Sequence, residues 1–149
     1  MGNYVNQLIK DNKDLINSNQ IARVIHKCKA LEKATLVRML QRAKIPFDTP
    51  NKENIQKAFR AERIEIYKIE EETYRSPRIV YKVFVKSFPQ DLLKFAGAPR
   101  IVPALILNRL LDKNIIVDEV LCLKNDPDVN PYDSDNYIVI ISFYDYNAR

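Results

Sequence analysis

The eight residues from Tyr137 to Tyr144 (Tyr-Ile-Val-Ile-Ile-Ser-Phe-Tyr) restrict the fold more than any other stretch. They are β-branched or aromatic nearly throughout, and an acidic, Pro-containing loop precedes them. An apolar run of this length with such flanks predicts a strand buried on both faces rather than a helix. A sheet with that strand inside it needs cover, and residues 4–62 hold the helices to supply it.

From Tyr4 to Ile16, Val5, Leu8, Ile9 and Leu15 recur at helical spacing. Asn17, Ser18 and Asn19 then break the pattern and offer N-caps for a following helix. From Gln20 to Ile45 two apolar stripes succeed one another. Ile21, Val24, Ile25, Cys28 and Leu31 make the first; Leu36, Val37, Leu40 and Ala43 make the second. At about 100° per residue the two stripes are offset by roughly 120°, so one straight helix cannot bury both against one surface. A kink or a second helix is expected near Ala30 to Ala34. Ile45 to Pro50 carries two prolines and reads as a loop. A further helix is expected from Lys52 to Glu62, with Ile55, Ala58 and Phe59 inward, Thr49 or Asn51 as its cap and Pro50 in its first turn.

The period then changes to two. Arg63 to Ile69 and Arg78 to Lys86 alternate and predict a hairpin whose tip, Glu70 to Pro77, is acidic through Glu70, Glu71 and Glu72. A short helix from Pro89 to Gly97 follows, then a well-buried helix from Ile101 to Lys113 that tolerates Pro103 in its first turn. Ile115 to Leu123, interrupted at Asp118-Glu119, is the third strand, and Tyr137 to Tyr144 the fourth. The expected fold is therefore α+β. Its N-terminal helices (residues 4–62) pack on a four-stranded, mostly antiparallel sheet of order β-β-α-α-β-β in a single domain of 149 residues.

Residue types exclude several chemistries. Gly2 and Gly97 are the only glycines, so neither a P-loop nor a dinucleotide fingerprint can be built. His26 is the only histidine, and Cys28 lies about 200° from it on a helix, which separates the pair as nucleophile and base. His26 reads as a helix-surface residue; Cys28 and Cys122 read as buried free thiols. Asp126, Asp128 and Asn130 open like a calcium loop. Pro131 then replaces the obligatory Gly and Tyr137 the bidentate Glu, so a solvated loop is expected. Glu65 and Lys68 fall on opposite faces of a strand and do not make a carboxylate–lysine nuclease centre. No cofactor, metal or catalytic residue is expected.

Charge is distributed unevenly. Residues 1–63 carry 13 Lys or Arg against 6 Asp or Glu, while the remainder carries 11 against 13. On a helical projection Arg23, Lys27, Arg38 and Arg42 fall within about 100° of each other, with Lys29, Lys33 and Lys44 on the adjoining side. That basic face suits phosphates or an acidic protein surface. The expectation is a non-catalytic interaction or assembly protein, a subunit of a larger complex or a homo-oligomer; its alternative is a nucleic-acid-binding accessory protein. In the first version the basic side of one copy meets the acidic side of the next, head to tail. Abundant Asn, Lys and Ile suit an AT-rich genome such as that of a phage or mobile element, and a connector or ring component of a virion is one concrete version. The polar N-terminus and the lack of a long apolar run point to the cytoplasm or a virion, with no membrane and no small-molecule substrate.

Overall fold

A computed structural model describes residues 2–17, 20–73, 78–93, 97–124 and 137–144. Helices come first: α1 (Gly2–Asp11), α2 (Lys13–Asn17), α3 (Ile21–His26), α4 (Ala30–Arg42) and α5 (Lys52–Ala61). Strands β1 (Glu65–Thr73) and β2 (Arg78–Ser87) follow, then α6 (Gln90–Leu93), α7 (Ala98–Asp112), β3 (Glu119–Lys124) and β4 (Tyr137–Tyr144). The fold is α+β, and all neighbouring strands in the sheet order β1-β2-β4-β3 run antiparallel.

Local signals explain most element ends. The two offset stripes resolve into α3 and α4, separated at residues 27–29, slightly before the expected break. Asn51 caps α5 by accepting from the Asn54 N–H at 2.8 Å, and the Asn54 side chain returns the bond to the Asn51 N–H. Pro50 therefore stands before the cap and not in the first turn. Gln20 is the N-cap of α3 and makes no side-chain cap bond. Helix α7 begins at Ala98, which places Pro103 inside the helix, beyond its first turn. Glu70, Glu71 and Glu72 lie within β1, so the acidic run belongs to the strand and not to the hairpin tip.

Helices α4, α5 and α7 end alike. Lys44, Arg63 and Asn114 adopt left-handed backbone with φ of 57°, 58° and 60°. The next residue is an isoleucine each time. Ile45, Ile64 and Ile115 return their N–H groups to the carbonyls of Leu40, Phe59 and Leu110, all at 3.0 Å. This is the Schellman closure, which satisfies carbonyls the helix leaves open and turns an apolar side chain back toward it. Asn114 does more than end α7. Its Oδ1 accepts the Ala22 N–H at 2.8 Å and its Nδ2 donates to the Pro46 carbonyl at 2.8 Å, so α3, the loop after α4 and the end of α7 meet at one amide.

Two apolar cores share α7. On one side Ala98, Val102, Ile106 and Leu110 pack with Ile55 and Phe59 of α5 against one sheet face, formed by Val83, Val85, Val139, Ile141, Val120 and Cys122. On the other side Leu111 joins Ile21, Val24, Ile25, Leu36, Val37 and Leu40. Leu107 touches both cores. Two expectations are corrected here. Helices within residues 4–62 do not all cover the sheet: α5 does so with α7, whereas α3 and α4 build the second core. Strand β4 is not buried on both faces. Its Val139, Ile141 and Phe143 face the first core, while on the second face Ser142 is buried, Ile138 and Ile140 are half-buried and Tyr144 is exposed. An unbroken apolar run fixes the strand and leaves open whether its second face is covered by the same chain.

Candidate functional site

The sheet face opposite α5 and α7 is only partly covered by the described residues: Val80 and Ser142 are buried on it, whereas Leu121, Leu123 and Tyr144 are exposed. Cross-strand pairing aligns its side chains in rows. Leu123, Ile138 and Phe84 form one row, and Leu121, Ile140 and Lys82 the next. Leu121 and Leu123 on β3 are 41% and 50% exposed, and Tyr144 on β4 is 39% exposed. The two halves of the face differ. Toward β1, Lys68 Nζ lies 5.5 Å from the Phe84 ring centroid, and the Tyr67 ring lies 5.9 Å from the same ring. Lys68 pairs with Glu70, a contact that raises the Lys68 pKa, and Lys82 pairs with Glu72 at 3.0 Å. Charge and aromatic contacts thus cap that half, while on the other Leu121 and Leu123 are exposed beside half-buried Ile138 and Ile140.

The two sheet edges differ in the same sense. The β1 edge carries Glu65, Lys68, Glu70, Glu71 and Glu72 and has an irregular register. Charge and irregularity of this kind deter strand addition. Between Glu119 and Lys124 the β3 edge reads Val-Leu-Cys-Leu, and no described strand pairs with its outer side.

The expected basic face is only partly assembled. Arg23 turns to α7, forming an ion pair with Asp112 and a 2.8 Å bond to the Gln20 side chain. Lys27, Arg38 and Arg42 are exposed and make no ion pair with a described residue. Lys33 leaves the adjoining face altogether. It is 8% exposed and its ammonium meets Asp118 at 3.1 Å, joining α4 to the start of β3. The second Asp118 oxygen accepts the Tyr144 N–H at 2.7 Å, so this carboxylate also fixes the end of β4. Helical projection had grouped Lys33 with surface cations because it reports angle and not the neighbour at that angle.

His26 is half-buried, with Nδ1 3.1 Å from the Val117 carbonyl; it ties α3 to the segment before β3 and is not a free surface residue. Both cysteines are free and buried, one in each core. Burial raises the Cys28 pKa, with Glu32 adding to it, and burial alone pushes the Cys122 thiol up to about 11. Neither is a thiolate near neutrality, which removes them as nucleophiles. No described group of three or more His, Cys, Asp or Glu residues is placed to hold a metal ion. The carboxylates from Asp126 to Asp135, read from sequence as a solvated loop, lie outside the described residues. No described helix is long and apolar enough to cross a membrane.

The fold and surface define an α+β protein whose open-faced antiparallel sheet is backed by two helices. No protein-family model matches the sequence, and no curated protein or solved structure matches it significantly.

Proposed function

We propose that this chain is a non-catalytic assembly protein that docks another polypeptide on the β3–β4 half of its open sheet face. The supporting observation is the exposed pair Leu121 and Leu123, flanked by half-buried Ile138 and Ile140, on an edge strand without charges at its centre. Contiguous exposed apolar surface of this kind marks docking sites, and a free edge adds backbone hydrogen bonding to a partner strand. The head-to-tail version, with a basic side meeting an acidic side, has less support: Glu70 and Glu72 are already paired within the sheet. A connector or ring subunit of a virion is one form such a protein takes. The double variant Leu121→Lys/Leu123→Lys tests the reading by light scattering and cross-linking in native lysate. Both positions are solvent-facing, so folding stability should change by no more than about 0.5 kcal/mol while association is lost. Association that survives in this variant, or its absence in the wild type, defeats the proposal.

A second reading has its own observation: Lys27, Arg38 and Arg42 are exposed and make no ion pair with a described residue. If these contact phosphates, duplex DNA binding should show a log–log salt slope of about −2.7 for three contacts. Arg38→Glu/Arg42→Glu should then abolish binding without lowering the melting temperature, and unchanged binding would remove this reading.

A further inference from the structure

A cleft of about 560 Å³ opens where the end of α5 meets the start of β1 and the end of β2. Three cations reach its wall from three places: Arg60 from the last turn of α5, Arg63 from the turn that follows, and Lys86 from β2. Gln56, one helical turn before Arg60, adds an amide, and Ile64 and Ile66 supply apolar lining. Two carboxylates stand against the three cations. Glu65 is in the wall, and Asp91 holds the Arg63 guanidinium at 2.8 Å. Arg60 and Lys86 make no ion pair with a described residue.

Two backbone irregularities bring these side chains together. Glu65 pairs with Ser87 but Ile66 pairs with Val85, which leaves Lys86 as the extra residue of a bulge. Regular alternation along β2 would put Lys86 with Phe84 on the open face, away from α5. The bulge instead sets it in the same wall as Gln56 and Arg60. Tyr67 is the compensating extra residue on β1, after which the register resumes at Lys68 and Phe84. Arg63 is held left-handed at φ 58°, where a side chain costs about 1 kcal/mol and glycine costs far less.

We infer that this cleft binds the phosphate group of an anionic ligand. Arg60 and Lys86 make the principal contacts, and Arg63, positioned by Asp91, makes the third. A guanidinium offers a paired-donor fork to phosphate, and an ammonium adds a point charge. The volume falls within the roughly 300–1,000 Å³ range of small-ligand sites, so the phosphate carries an attached group that lies along Ile64 and Ile66. A free phosphorylated small molecule and a nucleic-acid backbone both present this chemistry. The inference is independent of the assembly reading, since the cleft lies on the side of the sheet that holds α5.

The test titrates the full chain with inorganic pyrophosphate by calorimetry and with a labelled single strand of about 12 nucleotides by anisotropy, at about 50 mM salt. Three proteins are compared: wild type, Arg60→Gln/Lys86→Gln and Arg38→Gln/Arg42→Gln. Saturable binding weakened at least about tenfold in the first variant and within about twofold of wild type in the second is the expected result. Circular-dichroism melting confirms that both variants fold, and the single variants Arg60→Gln and Lys86→Gln serve if the pair does not. Saturation by the oligonucleotide assigns the phosphate to a nucleic-acid backbone. Saturation by pyrophosphate alone assigns it to a small ligand. No saturable binding of either probe up to about 10 mM pyrophosphate, or an equal loss in the Arg38/Arg42 variant, overturns the inference.

Discussion

Lys44 shows how one residue type shapes this chain. With two glycines in the sequence, the left-handed positions after three helices fall to Lys44, Arg63 and Asn114. Asparagine tolerates that conformation; lysine and arginine are strained in it. Lys44 is exposed and makes no described ion pair, so Lys44→Gly should relieve strain at little other cost. The expected gain is about 0.5–1 kcal/mol, the relieved strain less the extra chain entropy of glycine, read as a higher urea midpoint at unchanged m. A drop in the midpoint would contradict this account. The motif was only faintly legible: each closure is a polar residue and then isoleucine, separated from the helix end by one residue, and the usual glycine signal is missing. Cys122 gives a pH prediction. Its thiol sits at about 11 against an unperturbed 9.0, so the folded state favours the protonated form. Stability is unaffected by this group below about pH 9 and falls as pH rises through 11, by about 2 kcal/mol at the far end. Cys122→Ala should flatten that decline in denaturation curves taken between these limits.

At the scale of elements, Lys33 and Asp118 join α4 to the strands. Both are mostly shielded, with side chains 10% and 16% exposed. Removing one partner leaves the other charge poorly solvated, so Lys33→Met should cost about 3 kcal/mol. Lys33→Met/Asp118→Asn should recover more than half of that loss, since the amide carbonyl introduced there can still accept the Tyr144 N–H. Additive losses in a double-mutant cycle would show that the two residues act independently. Helical periodicity located α4 but assigned Lys33 to solvent. Element positions are set by local pattern, whereas the partner of a given side chain lies 85 residues away in sequence. The same gap separates the two views of β1 and β2: alternation found both strands, and only their pairing revealed the bulge that turns Lys86 toward α5.

For the whole molecule, α7 and not β4 is the organising element, because Leu110 and Leu111 enter different cores and Leu107 touches both. The buried thiols report on these cores separately, Cys122 on the sheet side and Cys28 on the helical side. Ile106→Ala should cost about 3 kcal/mol and speed native-state labelling of both thiols. Val24→Ala, confined to the helical core, should speed Cys28 more than Cys122. Labelling of Cys122 alone in the Ile106→Ala protein would show that α7 does not couple the two. The sequence by itself determined the α+β class, the span from Tyr137 to Tyr144, a break in the long helical stretch after Gln20, and a cap for α5 at Thr49 or Asn51. Those follow from side-chain period and from hydrogen bonds between residues a few positions apart. Only the tertiary structure decided that the second face of β4 is no more than partly covered, that Arg23 leaves the basic stripe for Asp112, and that Lys86 joins Arg60 in one cleft. Each of these depends on which distant segment arrives beside a residue, a choice made by the packing of the whole chain that no local pattern encodes.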